Sequence, residues 1–371
     1  MTARSARPAG RLESLDAFRG LTIAGMILVN NPGSWSHVYP PLLHAQWHGC
    51  TPTDLIFPFF LFIMGVSIPF SFGKRVARGD SRGTLFRHIL RRSLVLFGLG
   101  IFMAAFPRFD LLNLRIMGVL QRIGLVYLAS ASAYLVLGRK GRGATLAVLL
   151  LGYWALLTLV PVPGFGPGDL SPEGNLGAYL DRLILGGHLW RETWDPEGLL
   201  STLPAIGTTL LGIYAGEWIR GEARGVRVSG GLLAAGAAGL LLGWLWGLVF
   251  PINKGLWTSS YVLFTGGSGS ILLGLMFWIM EVRGWKKWAR PMIIYGMNAI
   301  AVFVASGLLA KILGILRVGE GETTLKGWIY QHAFASWAGP LNGSLAFGLA
   351  YVLFWLGLMW LLYRRGIFIK V

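Results

Sequence analysis

Cysteine is almost missing from this chain. Its 371 residues include one, Cys50, which excludes an internal disulfide and any cysteine-based metal cluster. Charge is scarce too: Asp, Glu, Lys and Arg make up 13% of the sequence, about half the share of a soluble domain. Acidic residues are rarest, 16 against 33 Lys and Arg. Hydrophobic residues fill the space left by charge, at 54%, and several apolar stretches reach the ~20 residues that carry a helix across a bilayer. The fold class is therefore all-α, a polytopic integral membrane protein.

The net charge of +17 does not point to nucleic acid. Basic residues stand in short blocks between apolar spans, as they do in the cytoplasmic loops of membrane proteins. The N-terminus, "MTARSARPAGRLESLDAFRGLTIAGMILVNN", begins basic, but its apolar run ends in Asn30, Asn31 and Pro32 with no small-residue cleavage site. It reads as an uncleaved first span rather than a signal peptide.

Windows of about 19 residues place about ten transmembrane helices, near 12–31, 54–73, 88–106, 117–137, 143–162, 198–218, 228–250, 257–281, 291–312 and 341–363. The sixth is only moderately apolar and holds Pro204, so it either lines the interior or kinks. Of the 33 basic residues, 23 fall on one side of this arrangement, among them Arg4, Arg7, Arg11, Arg224 and Lys370; eight fall on the other, and Arg19 and Arg122 lie inside spans. The positive-inside rule then makes both termini cytoplasmic and turns the loop 32–53, which has no Lys or Arg, to the opposite face. No internal repeat is visible. The longest outer loops, about 163–197 and 313–340, suit interfacial helices or a cap over a site.

Polar residues at span ends or inside spans are costly in lipid and mark function. Asp16 and Arg19 lie i and i+3 on the first span, either a self-neutralised helix end or a place where Arg19 meets an anionic ligand. Asn30 ends that span. The next stretch, "LLHAQWHGCTPTDLIFPFF", crowds His44, His48 and Asp54 at a helix mouth, with His37 upstream. Histidine suits general-base work near neutral pH, and Asp54 either orients an imidazole or N-caps the second span. Two histidines and an aspartate also make a zinc-like set, although the spacing matches no zinc motif and His88, His188 and His332 are scattered. Gln121 and Arg122 sit about a turn inside the fourth span, where the arginine needs a partner such as Asp54 or Asp110. Asp195 and Glu197 stand at the mouth of the sixth. Asn253, Lys254, Trp257, Thr258, Ser259 and Ser260 gather at the outer end of the eighth, and Asn298 lies inside the ninth. Inter-helix hydrogen bonds account equally well for Ser259, Ser260 and Asn298. The concentration at outer ends suits a polyhydroxylated ligand. The densest basic block, "GKRVARGDSRGTLFRHILRR" with Arg75, either sets topology and meets anionic lipid or holds the phosphates of a nucleotide.

Several blocks together, "LDAFRG", "HAQWHGCTPTDLIFPFFLFIMGVSI", "GVLQRIGLVYL", "DPEGLLSTLPAI", "INKGLWTSSYVL" and "GMNAIAVF", make the chain resemble the transmembrane acyltransferase family of heparan-α-glucosaminide N-acetyltransferase and its bacterial NagX-like relatives. The resemblance covers nearly the whole chain as one domain, 1–371, with core motifs in 12–137 and 195–310. It looks like the bare membrane module, without the large extracytoplasmic N-terminal domain of the lysosomal enzyme. The resemblance implies transfer of an acetyl group from cytoplasmic acetyl-CoA to an amino sugar of glucosamine type on the extracytoplasmic side. It further implies a multi-pass protein of the inner (cytoplasmic) membrane, with an amino-sugar or glycan acceptor, membrane lipids and a second copy as partners, and without a metal. His44 matches the histidine of the family's "HASW"-like motif and Asn30 the asparagine ending its first span. His48 stands where the family has Asn, and no role carries over to it. On this reading His44 takes the acceptor's proton or is transiently acylated, and Asn30 supports the oxyanion. Asp54, Gln121, Arg122, Asp195, Glu197, Asn253, Lys254, Trp257 and Asn298 orient or bind, and Asp16, Arg19 and Arg75 meet CoA. A transporter or flippase for a sugar or lipid-linked glycan is the alternative; it predicts repeats and no thiol release. A structural scaffold would make the buried charge gratuitous.

Overall fold

A computed structural model describes residues 12–222, 225–319 and 323–369. Arg4, Arg7, Arg11, Arg224 and Lys370, counted above toward the basic side, lie outside the described residues. The described residues form thirteen α-helices: α1 Glu13–Asn30, α2 Ile56–Val76, α3 Arg82–Ala105, α4 Val119–Val136, α5 Arg139–Leu159, α6 Leu176–Leu185, α7 Thr202–Gly221, α8 Gly225–Trp246, α9 Ser259–Phe277, α10 Arg290–Met297, α11 Ala299–Ile315, α12 Leu325–Ile329 and α13 Ser336–Arg364. The described strands are two residues long: β1 Arg317–Val318 pairs antiparallel with β2 Thr323–Thr324.

All ten expected windows fall on helices. Among the described residues, seven helical runs are long and apolar enough to cross a membrane, and the pair α10–α11, bent by 72°, makes an eighth if it counts as one span. The other two windows hold α1 and α7. Glu13, Asp16 and Arg19 charge α1, while glycine, threonine, Glu217 and Arg220 dilute the apolar surface of α7. Proline at 204 leaves α7 unbroken, because it occupies the first turn, where an amide hydrogen has no intrahelical acceptor. That helix is an interior one, with Ala205, Leu210 and Ile213 fully buried. The loop 163–197 contains the expected short helix, α6, capped by the Asn175 side chain, which accepts from the Ala178 amide at 2.8 Å.

The chain divides into two compact units, 12–44 with 51–56 and 275–369, and 45–50 with 57–274. In the first, α1 packs on α10 through facing glycines. A Cβ on Gly20 would overlap the Met292 carbonyl, and one on Gly296 the Asp16 carbonyl, so only glycine permits this approach. Asn298, expected inside a continuous span, is instead the break between α10 and α11. Its amide group donates to the Ile367 carbonyl (3.2 Å) and accepts from the Ile369 amide (2.8 Å), holding the chain's last described turn. The second unit is built on α2 and α7, which meet at Gly65 and Gly212; there a Cβ would overlap the Thr209 and Phe62 carbonyls. Around this axis, α3, α5 and α8 turn apolar side chains outward, Leu94, Val148 and Leu241 among them. Such a surface suits lipid.

Candidate active site

The stretch after α1 is held open by proline-started turns, Pro40–Leu42 and Pro52–Leu55. Thr51 and Asp54 form a capping box at the second of these, in which the Thr51 amide donates to Asp54 Oδ2 at 3.0 Å. The other carboxylate oxygen, Oδ1, lies 2.6 Å from His44 Nδ1. One oxygen of Asp54 thus serves the turn as its third residue, the N-cap being Thr51 and not Asp54 as expected, and the other meets His44. Its side chain is 1% exposed while that of His44 is 51% exposed: the anion is shielded and the imidazole reaches solvent. A carboxylate on Nδ1 fixes a hydrogen there, and the basic lone pair of the neutral ring then resides on Nε2. Asn30, the last residue of α1, is exposed, and its side chain makes no hydrogen bond among the described residues. Asn31 beside it is turned inward, donating to the Ile27 carbonyl at 2.7 Å.

The middle of the same stretch belongs to the second unit. The Trp47 indole donates to the Leu170 carbonyl (2.8 Å) and meets the Trp194 ring edge-on at 5.0 Å. The Gly49 amide donates to the Ile252 carbonyl at 2.7 Å. His48 Nδ1 is 3.3 Å from the amide nitrogen of Asn253, whose own oxygen is committed to the Leu256 amide at 2.8 Å. Asn253 thus donates and His48 Nδ1 accepts. Partial burial holds the His48 imidazole below the ordinary histidine range, which favours the neutral ring. Lys254 is half-buried next to Asn253, and Trp257 is buried, its indole donating to Thr208 Oγ1 at 3.1 Å.

A second polar centre surrounds "DPEGLLS". Arg115 grips Asp195 with two bonds, Nε at 2.8 Å and Nη2 at 2.6 Å, and also reaches Glu197 at 2.5 Å. Burial alone would depress Arg115, but the two carboxylates outweigh it and raise its affinity for the proton. Arg122 does not pair with Asp54 or Asp110. Its Nη2 donates to the Gly198 carbonyl (3.1 Å) and Ser201 Oγ (2.5 Å), and the guanidinium lies 5.1 Å from the Trp257 ring. A backbone carbonyl and a hydroxyl, from the loop that folds back over the start of α4, take up Nη2 in place of a carboxylate. Its Nε and Nη1 have no hydrogen-bond partner among the described residues. Asp181 on α6 accepts from the Leu199 amide at 2.8 Å, and burial pushes its carboxyl up to about 6. Gln121 packs against Gly100 and Gly118.

Asp16 and Arg19 form the expected pair, at 3.0 Å, and Arg19 also approaches the Gly296 carbonyl at 3.5 Å. Arg75 is tied to Asp80 (3.4 Å) and stacks its donors on His88 (3.2 Å). Among the described residues no group of three or more His, Cys, Asp and Glu is arranged to hold a metal ion.

Sequence reasoning grouped His44, His48 and Asp54 at one helix mouth and set Asn253 apart at the end of the eighth window; the structure puts His44 against Asp54 and His48 against Asn253, and Trp47, Trp194, Arg115, Asp181 and Ser201 were not singled out. Two of these carried a readable signal. Trp47 stands between the two histidines, and Arg115 lies in a loop, 106–118, otherwise almost without basic residues.

The family model described as "Heparan-alpha-glucosaminide N-acetyltransferase, catalytic" matches residues 11–241. Among curated relatives, the heparan-alpha-glucosaminide N-acetyltransferase of Homo sapiens is 32% identical over 357 residues, covering 79% of this chain and 52% of that protein. The mouse (Mus musculus) protein of the same name is 30% identical over 415 residues, covering 95% of this chain and 60% of that protein. The chain thus spans between half and three-fifths of the length of these relatives.

Proposed function

Because this chain belongs to the heparan-alpha-glucosaminide N-acetyltransferase catalytic family, we propose that it moves an acetyl group from acetyl-CoA on the cytoplasmic side to the amine of a glucosamine-type acceptor on the other side of the membrane. The observation that carries the reading is the His44–Asp54 pair: a shielded carboxylate at 2.6 Å holding an exposed imidazole. The amine nitrogen attacks the thioester carbonyl while His44 Nε2 takes its proton, so that the C–N bond forms as the carbonyl becomes an oxyanion. Collapse breaks the C–S bond, and the departing thiolate takes the proton back from the His44 imidazolium. Asn30, on the same unit, is the candidate donor to the oxyanion. Arg19 and Arg75 are the candidates for the phosphates of CoA; each is already held by an aspartate, so an arriving anion competes with that contact.

Ten crossings with both termini cytoplasmic complete the proposal, and the loop charges support them. In this topology Cys50, the sole cysteine, faces away from the cytoplasm, and a membrane-impermeant maleimide applied to intact inner-membrane spheroplasts labels it. Labelling only after lysis overturns the topology.

The decisive assay incubates the purified protein with acetyl-CoA and glucosamine and follows free thiol. Release that depends on both substrates and vanishes in His44→Ala supports the proposal. No release from wild type, with glucosamine moved across proteoliposomes instead, replaces it with a transporter.

A further inference from the structure

Helices α7, α8 and α9 of the second unit line a half-open cavity of about 310 Å³ that the acetyl-transfer reading leaves unused. Gly231, Ala235 and Gly239 of α8 line it; a spacing of four aligns them along one helix face. Gly267 of α9 faces this ridge, and Arg139 and Tyr214 stand at one end. At that end α7 finishes and α5 and α8 begin. The Tyr214 hydroxyl donates to the Arg139 carbonyl at 2.7 Å, and the Arg139 guanidinium lies 5.8 Å from the Tyr214 ring, exposed. Arg227, also exposed, precedes Gly231 by four residues and so continues the same ridge one turn beyond the cavity. Loop charge assigns this end to the cytoplasmic side.

The geometry points to a bound anionic glycerophospholipid, one acyl chain in the throat and its phosphate between Arg139 and Arg227. The volume lies in the range of small-molecule pockets, and the walls offer hydrocarbon contact and little else. The charge is confined to one end, which matches the polarity of a phospholipid and not that of a sugar. Basic pockets between transmembrane helices on the cytoplasmic side bind anionic headgroups in this way. A zwitterionic phospholipid would fill the throat too, but the cation in its headgroup competes with the two arginines for its phosphate, so the net-anionic lipid is favoured.

The test uses the full chain reconstituted in vesicles of equal phosphatidylglycerol and phosphatidylcholine, re-extracted in mild detergent and weighed by native mass spectrometry. One phosphatidylglycerol per chain is expected to survive extraction, well above phosphatidylcholine. Arg139→Ala and Arg227→Ala should each lower its retention roughly fivefold and together about thirtyfold, with a much smaller loss of phosphatidylcholine. Ala235→Phe, which fills the throat, should remove both lipids. Ser270→Leu does the same from the opposite wall and serves if Ala235→Phe does not give a cooperative thermal transition. Equal retention of the two lipids by wild type overturns the inference. So does indifference to a folded throat-filling variant, and so does displacement of the phospholipid by acetyl-CoA, which would give the throat to the co-substrate.

Discussion

His44 and His48 are four residues apart, and their partners commit them to opposite chemistry. The partner of His44 is a carboxylate, which only accepts, so Nδ1 carries the hydrogen and Nε2 the lone pair. The partner of His48 is an amide nitrogen pinned by the Leu256 amide, which only donates, so Nδ1 carries the lone pair and Nε2 the hydrogen. The first ring is built as a base toward solvent and the second as a hydrogen-bond donor. Position in sequence cannot make this distinction; the two packing partners, one from each compact unit, do.

The strongest way to break the contrast is His44→Ala. Removing a general base costs about 10²–10⁴-fold in turnover, and thiol release should fall by that much with the thermal transition unmoved, because the side chain is half in solvent. A loss confined to stability would refute the base. Asp54→Asn comes next. The asparagine can still serve the Thr51 cap through its oxygen, but its nitrogen then faces His44 Nδ1 and drives the hydrogen to Nε2, giving His44 the tautomer of His48. The expected result is a drop of about 10²-fold in kcat with KM little changed, together with a switch of the protonated nitrogen in ¹⁵N NMR of the imidazole. Asp54→Asn added to His44→Ala should cost almost nothing more, since the two act as one unit.

Asp181 is a buried carboxylate without the cationic grip that Arg115 gives Asp195. Burial raises it from 3.8 to about 6, the Asp195 charge adds to this, and Arg122 and Arg182 oppose it. A carboxyl raised in the fold is stabilising below its unfolded value and loses that contribution as pH climbs through about 6. Stability should therefore fall between roughly pH 4 and pH 7 by at most about 3 kcal/mol, at 1.36 kcal/mol per pH unit between the two pKa values. Asp181→Asn, which keeps an acceptor for Leu199, should flatten that slope and raise the melting temperature at pH 7. An unchanged slope would place the titration elsewhere.

Much of this was legible in the residues themselves. The apolar windows located helices because lipid-facing and buried faces are both hydrophobic in a membrane protein, and Asp16–Arg19 followed from helical spacing alone. The Asn298 break was not legible: "YGMNAIAVF" reads as an apolar run with one polar residue, and the partners that Asn298 finds at the break are residues 367 and 369, about seventy positions away. Arg122 misled for a related reason. A buried arginine suggests a carboxylate, and nothing in "GVLQRIGLVYL" announces that a distant glycine carbonyl and serine take that place. Local periodicity is written in the sequence; the partner of a polar side chain is written in the fold.

His48→Asn gives the smallest effect and tests the contrast most sharply. Asparagine is the residue the family resemblance leads one to expect here, and it offers an acceptor oxygen for Asn253 Nδ2 and a donor NH₂ outward. Both functions assigned to the neutral imidazole survive in it. Turnover should stay within about threefold of wild type, the scale of one neutral hydrogen bond. His48→Ala should cost somewhat more, since it leaves the Asn253 amide without that acceptor in a fully buried side chain. A loss in His48→Asn as deep as that in His44→Ala would mean that the second imidazole also moves a proton, and the assignment of one base and one donor would have to be abandoned.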